Sequence, residues 1–174
     1  MKQIYATLFF AFSFLLGFAQ DYNLSFEQWD SVQHHIEPRM WGTFNALSEF
    51  GLIPGAERTT DAVDGQYALK LRTDSVPVGV AVLGTIYTAS AVIKPGRPYA
   101  LRPDSVKFFY KCTINGGDSC AIVFIFTRWD LATDTQKLVG RAVRKDFITI
   151  SNYTYFSMPV QYFEPNMPDS MGIV

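Results

Sequence analysis

The sequence predicts an all-β fold, most simply a two-sheet antiparallel sandwich. Short runs of β-branched and aromatic residues recur between clusters of Gly, Pro, Asn and Asp. No segment after the opening residues has the spacing of apolar side chains that is typical of an amphipathic helix. The predicted strands span residues 66–73, 78–88, 105–114, 119–129, 137–149 and 154–163, with turns at 64–65, 94–96 and 115–118. Their number and spacing suit a sandwich.

The first nineteen residues have the features of a signal peptide. Lys2 supplies a positive charge, residues 6–18 are apolar, and Gly17-Phe18-Ala19 fits a small-x-small cleavage signal. The apolar run is shorter than the roughly 20 residues that a membrane-spanning helix needs. We therefore expect residues 1–19 to be removed, and residues 20–174 to form a single exported domain. The sequence does not distinguish periplasm, cell surface and medium.

The charge balance argues against nucleic acid as a partner. The chain has 15 Lys and Arg and 16 Asp and Glu, a formal net charge of −1. Loss of the leader with Lys2 leaves 14 basic and 16 acidic residues. Binding to phosphates needs a concentrated basic surface, which this balance does not favour.

The segment around Cys112 and Cys120 is predicted to form a β-hairpin. Closing it through the loop 115–117, where a glycine can adopt positive φ, places Cys112 opposite Cys120 and Phe108 opposite Phe124. One face of this hairpin is then uniformly apolar. A close pair of cysteines in an exported chain favours a disulfide over a metal site. Directly opposed cysteines are strained in many strand pairs, so free thiols are the alternative.

The other face of the predicted hairpin has the composition of a sugar-binding surface. It would combine Phe109, Lys111, Thr127 and Trp129, with Asp130 beside them. Sugars have apolar C–H faces ringed by hydroxyl groups, so a flat aromatic surface with nearby polar groups suits them. The alternative is that a loop covers this face, because Val123 and Ile125 also lie on it.

The end of the sequence resembles an interrupted strand. Residues 166–170 form a turn, and Met171-Gly172-Ile173-Val174 reads as the first half of a buried strand. A sandwich that ended there would have an unpaired edge. We therefore expect a domain that lacks its last strand.

An ordered set of short motifs resembles one known family. They are Phe26-Glu27-x-Trp29, Trp41, the segment 60–71 with Gly65, Gly96-Arg97-Pro98, Phe109-Tyr110-Lys111 and Pro168-Asp169-Ser170-Met171. Together they are similar to the secreted bacterial jelly-roll domains known as "putative carbohydrate-metabolism" or carbohydrate-binding-like modules, found in type IX-secreted proteins. The resemblance implies a jelly-roll, galactose-binding-like sandwich that continues through a further strand, often into a sorting domain.

The same resemblance implies a structural calcium ion held by Glu27 and Asp61, since hard cations prefer carboxylate oxygens. The simpler interpretation is that Asp61 caps a turn and Glu27 is a surface charge. The adjacent His34 and His35 would point to opposite faces of a strand, and we expect them in a solvated loop rather than in a metal site. No cofactor is predicted.

These observations lead to a functional hypothesis with two alternatives. We expect a non-catalytic module that binds carbohydrate or another surface polymer. A structural or adhesion spacer that binds no sugar is the second candidate. An enzyme, the third candidate, would require convergent ionisable groups in a cleft, for instance a carboxylate pair such as Glu27 with Asp30 or Glu164 with Asp169.

Overall fold

The computed structural model describes the backbone of residues 22–51, 54–75, 81–82, 86–88 and 96–174. The predicted signal peptide and much of the predicted strand 78–88 lie outside these residues. No helix in the described part of the chain has both the length and the apolar character needed to cross a bilayer.

The fold class is all-β, as predicted, and every described strand pairing is antiparallel. A 3₁₀ helix spans Asn45–Phe50. The strands are numbered in chain order: β1 (Trp29–Val32), β2 (His35–Pro38), β3 (Trp41–Thr43), β4 (Ala56–Thr59), β5 (Ala68–Leu71), β6 (Asp74–Ser75), β7 (Ala81–Val82), β8 (Ile86–Thr88), β9 (Arg97–Pro98), β10 (Ser105–Cys112), β11 (Cys120–Asp130), β12 (Thr135–Asp146), β13 (Ile150–Pro159), β14 (Gln161–Tyr162) and β15 (Ser170–Ile173).

The long strands lie close to their predicted positions, whereas β1 to β4 were not predicted. These early strands are three or four residues long and carry charged or polar residues between the apolar ones. Their pattern is too short to distinguish a strand from a turn-rich loop. They form the local pairs β1–β2 and β4–β5, and β3 pairs with β8.

The main sheet has five strands in the order β14–β12–β11–β15–β9. Phe126 of β11 and Val139 of β12 are fully buried in it. β15 pairs with β11 on one side and with β9 on the other, so this strand is interior and not an unpaired edge. Its buried side chains, Met171 and Ile173, supply the apolar contacts that hold it there. A further strand beyond residue 174 stays a prediction.

The predicted hairpin between residues 105–114 and 119–129 is wrong. β10 pairs with β13, with Phe108 opposite Phe156, while β11 pairs with β12 and β15. The two strands still meet, because the rings of Phe108 and Phe124 lie 6.3 Å apart between their centroids. Two strands that each have an apolar face can bury those faces by pairing within one sheet or by packing against each other across a core. Here the loop 113–119 connects one sheet to the other.

Among the described residues, one apolar cluster packs between the strands of different sheets. Its buried members are Trp41, Ala56, Phe126, Met171 and Ile173. Side chains from β10, β5 and the connecting loops pack against them: Phe26, Leu69, Tyr99, Val106, Phe124 and Val160. Trp41 is buried here, and its ring lies 5.1 Å from that of Phe26.

Asn45 is the polar residue that ties the early strands together. Its side chain is almost fully buried. Nδ2 donates to the carbonyl oxygens of Ile36 (3.1 Å) and Ala56 (2.7 Å), and Oδ1 accepts from the Ala56 backbone N–H at 3.0 Å. These bonds satisfy backbone groups of both β2 and β4, which do not pair with each other.

We expect Asn45→Ala to lower the free energy of unfolding by about 2–4 kcal/mol, because it leaves buried backbone groups without partners. Denaturant unfolding followed by circular dichroism measures the change. Asn152→Ala is the control, since Asn152 is exposed and should cost less than about 0.5 kcal/mol. Equal effects of the two substitutions would show that the Asn45 hydrogen bonds do not hold β2 and β4 together.

Candidate functional site

Two exposed aromatic residues face each other across the pairing of β10 and β13, on the side that faces away from the core. Phe109 and Tyr155 are directly opposite each other in the register, and their ring centroids are 5.2 Å apart. Phe109 is 50% exposed and Tyr155 is 49% exposed. Strand alternation turns Phe108 and Phe156 into the core and so turns their neighbours outward. We call this surface the outer face; it is formed by Lys107, Phe109, Lys111, Tyr153, Tyr155 and Ser157.

One end of the outer face is fixed by the loop that follows β4. Lys111 Nζ forms an ion pair with the Asp61 carboxylate and lies 4.7 Å from the centre of the Tyr153 ring. The Tyr153 hydroxyl donates to the backbone carbonyl of Asp61 at 2.6 Å. Two contacts to Asp61 thus hold the loop beside the aromatic pair and leave the Asp61 carboxylate at its margin.

The charges at this end influence one another. The hydrogen bond to Asp61 raises the pKa of Lys111, so that its ammonium group is charged at any physiological pH. Partial burial raises the pKa of Tyr153, and the Asp61 carboxylate adds to this effect. The outer face therefore offers hydroxyl donors, an ammonium group and a carboxylate acceptor next to two exposed rings.

The five residues predicted to form one sugar-binding surface do not share a face. Phe109 and Lys111 lie on β10, whereas Thr127, Trp129 and Asp130 lie on β11, in the other sheet. Because the two strands face each other through Phe108 and Phe124, their outward side chains point away from each other. The prediction of a single surface followed from the wrong hairpin register.

The three residues on β11 have local structural contacts. The Thr127 hydroxyl accepts from Gln136 Nε2 at 2.7 Å. Asp130 Oδ1 accepts from the Ala132 backbone N–H at 3.0 Å and so caps the turn between β11 and β12. The backbone N–H of Trp129 donates to an Asp169 carboxylate oxygen at 2.7 Å. Three of the five predicted residues thus have contacts at the end of the β11–β12 hairpin.

Glu27 and Asp61 have separate roles. Glu27 Oε1 accepts from the backbone N–H groups of Gln66 (3.0 Å) and Tyr67 (3.1 Å), and so holds the turn at Gly65. Gly65 has a φ of +71°, and a Cβ on it would lie 2.1 Å from that carboxylate oxygen. Within the described residues, no three His, Cys, Asp or Glu side chains are grouped so as to hold a metal ion. Calcium binding by Glu27 and Asp61 stays a prediction.

His35 is not in a solvated loop, contrary to expectation. It lies on β2 with its side chain 4% exposed, and its Nε2 is 3.1 Å from Glu37 Oε1. It also lines an open cleft of about 550 Å³ between β1, β2 and β4. The sequence analysis did not place His35 on a strand, because β2 is only four residues long. The cleft contains His34, Glu57 and Arg58 as well, but Glu57 is held by ion pairs to Lys70 and Arg72.

Tyr155 and Tyr153 are the residues of the outer face that sequence reasoning missed. Both fall in a segment whose alternation was visible in the sequence, with hydroxyl-bearing residues at positions 151, 153, 155 and 157. The pairing of this segment with β10 joins residues 38 or more positions apart. That long-range pairing has no local signal in the chain.

Comparisons with known proteins show a likeness of fold. No family model matches the chain, and no curated protein matches it. A crystal structure from Bacteroides thetaiotaomicron VPI-5482, described as a "putative glycoside hydrolase", superposes with a TM-score of 0.60 at 16% sequence identity. The match covers 83% of this chain and 57% of that one. The chain therefore spans little more than half the length of this structural neighbour, which it resembles in its β-rich architecture.

Cys112 and Cys120 are both free thiols, yet they are neighbours at the ends of strands in different sheets. Burial raises the pKa of Cys120 to about 11, and a hydrogen bond with Cys112 contributes to this shift. At neutral pH Cys120 is therefore protonated and reacts slowly, because the thiolate is the reactive form. The predicted disulfide would connect two sheets and not two strands of one hairpin.

We expect the chain to form this disulfide when glutathione disulfide oxidises it. Two S–H bonds are lost, one S–S bond forms, and glutathione disulfide takes up both electrons and both protons. The oxidised chain should be lighter by two hydrogen atoms in intact-mass spectrometry, and faster to oxidise as the pH approaches the pKa of Cys120. Closing so short a loop should stabilise the fold by about 2–3 kcal/mol.

Cys112→Ser is the matched control, because it removes the partner and keeps Cys120. This variant should show no loss of mass and no gain in stability under the same oxidant. Mixed disulfides with glutathione on both cysteines, without the internal bond, would contradict the prediction.

Proposed function

We propose that this chain is a secreted, non-catalytic module that binds a polysaccharide on the outer face of β10 and β13. The observation that supports this most directly is the exposed pair of Phe109 and Tyr155. Large aromatic side chains are normally buried, so two neighbouring rings that each keep half their surface in water favour a binding role. The apolar C–H face of a pyranose ring suits such a surface.

The polar groups around the pair suit the hydroxyl groups of a sugar. Lys111 and Asp61 supply a donor and an acceptor at one end, and Ser157 lies at the other end, opposite Lys107. Directional hydrogen bonds beside an aromatic surface are what gives a carbohydrate site its specificity. The face is formed by two paired strands whose register shifts only between Tyr110 and Cys112, so an extended polymer can lie along it without an enclosed pocket.

One member of each carboxylate pair considered from the sequence is bonded to an arginine. Asp30 is bonded to Arg39 and Glu164 to Arg128, and these arginines hold the pKa of both carboxyl groups below the ordinary value. A lowered pKa disfavours the protonated form that the general acid of a hydrolase needs, which supports the proposal of a non-catalytic module. Asp146 has a pKa that burial raises, but both its oxygens accept hydrogen bonds from Arg144.

The structural neighbour adds a second line of support. That protein is described as a "putative glycoside hydrolase", a description that refers to carbohydrate. At 16% identity this likeness concerns the fold. The proposal therefore depends on the outer face itself, and a spacer domain without sugar binding is its competitor.

Replacing the aromatic pair tests the proposal. We expect Phe109→Ala with Tyr155→Ala to weaken retention on insoluble polysaccharide about tenfold or more, because binding energy concentrates in a few aromatic anchors. Affinity gel electrophoresis across a panel of neutral and acidic polysaccharides measures the effect. The double variant should stay folded by circular dichroism, since an exposed cross-strand pair contributes only about 0.2–1 kcal/mol.

Phe163→Ala is the matched control, because Phe163 is 48% exposed and packs over Arg141 beside the five-stranded sheet. It should bind like the unmodified chain. Trp129→Ala distinguishes the face proposed here from the surface on β11, and it should also retain binding. If no polysaccharide is retained by the unmodified chain, the spacer function replaces this proposal.

A further inference from the structure

The outer face has an unusual balance of charge for this chain. β10 and β13 together contain two lysines, Lys107 and Lys111, and no Asp or Glu. The whole chain has a formal net charge of −1, so acidic residues are slightly more common elsewhere. All charged residues of these two strands are therefore basic, and the composition of the whole chain does not predict this.

The two lysines differ in what surrounds them. Lys111 has its charge compensated by Asp61, a carboxylate that the loop after β4 brings to it. Lys107 is exposed and lies opposite Ser157 in the register. In the part of the chain that the structure describes, no ion pair involves Lys107. The uncompensated positive charge of the face thus lies at the end away from Asp61.

The spacing places this charge within reach of a sugar bound on the rings. Lys107 and Phe109 are successive outward residues of one strand and lie about 7 Å apart along it. A flexible lysine side chain covers part of that distance and can turn its ammonium group toward either side. A sugar that packs on Phe109 and Tyr155 can therefore place an acidic substituent, on itself or on the adjoining sugar, beside Lys107.

We propose that the ligand of this face is an acidic polysaccharide, in which a carboxylate or sulfate group binds Lys107 while a pyranose ring packs on Phe109 and Tyr155. This inference rests on the proposed function and specifies its ligand class. Hydroxyl groups at alternating positions of β13, from Ser151 to Ser157, line the path of such a polymer. Their number favours a sugar over nucleic acid, whose binding depends on several phosphate contacts from a wider basic surface.

The test uses polymers that differ in charge but keep the same backbone. Polygalacturonate is compared with its fully methyl-esterified form, glucuronoxylan with its carboxyl-reduced form, and dextran sulfate with dextran. We expect the charged member of at least one pair to bind about fivefold or more tightly, and this preference to weaken as salt is added. The carboxylate and sulfate pairs distinguish the two kinds of acidic group.

Two lysine variants locate the effect. Lys107→Gln should reduce binding of the preferred charged polymer about two- to fivefold, the range for one exposed ion pair, and should reduce binding of its uncharged counterpart less. Lys145→Gln is the control, because Lys145 is also exposed but lies on β12, in the other sheet. It should leave both affinities unchanged.

The outcomes separate this inference from the proposed function. Equal binding of charged and uncharged members, lost in the double variant of Phe109 and Tyr155, would overturn the acidic ligand and keep the polysaccharide module. Binding of polyanions that persists in the double variant would be simple ion exchange and would overturn both. Absence of binding to every polymer would also overturn both.

Discussion

The contact between Phe108 and Phe124 is the interaction on which the rest of the described structure depends. It joins β10, which pairs with β13, to β11, the central strand of the five-stranded sheet. Phe156 and Phe126 extend the contact on the two sides. Because these rings face inward, strand alternation fixes which side chains face water on both sheets. The position of Phe109 and Tyr155 at the surface follows from this one packing arrangement.

The sequence was informative where the signal is local. Alternation and turn residues placed the long strands within a few residues of their observed limits, and the positive φ of Gly65 and Gly117 agrees with the predicted turns. The apolar sides of β10 and β11 were also correct, since Val106 and Phe124 pack against the core. Each of these properties depends on neighbours within a few positions of the chain.

The sequence was not informative about which strands pair. An apolar face on residues 106–112 and another on 120–126 is compatible with a hairpin and with two strands opposed across a core, and the loop between them is long enough for either. The choice depends on β13 and β15, which supply the actual partners of β10 and β11 from 38 or more residues away. Thr127, Trp129 and Asp130 were assigned to the wrong surface for this reason. Phe109 and Lys111 were found, and Tyr153 and Tyr155, their partners from β13, were not.

The turn at Gly65 connects two positions that lie 38 residues apart in the chain. The carboxylate of Glu27 occupies the space that a side chain on residue 65 would fill, and it accepts the two backbone N–H groups that follow the turn. A larger residue at position 65 requires a different position for the Glu27 side chain, and the positive φ of residue 65 favours glycine even without Glu27. In related sequences an acidic side chain at position 27 should therefore occur with glycine at position 65, whereas glycine at 65 can persist where the acidic side chain is absent.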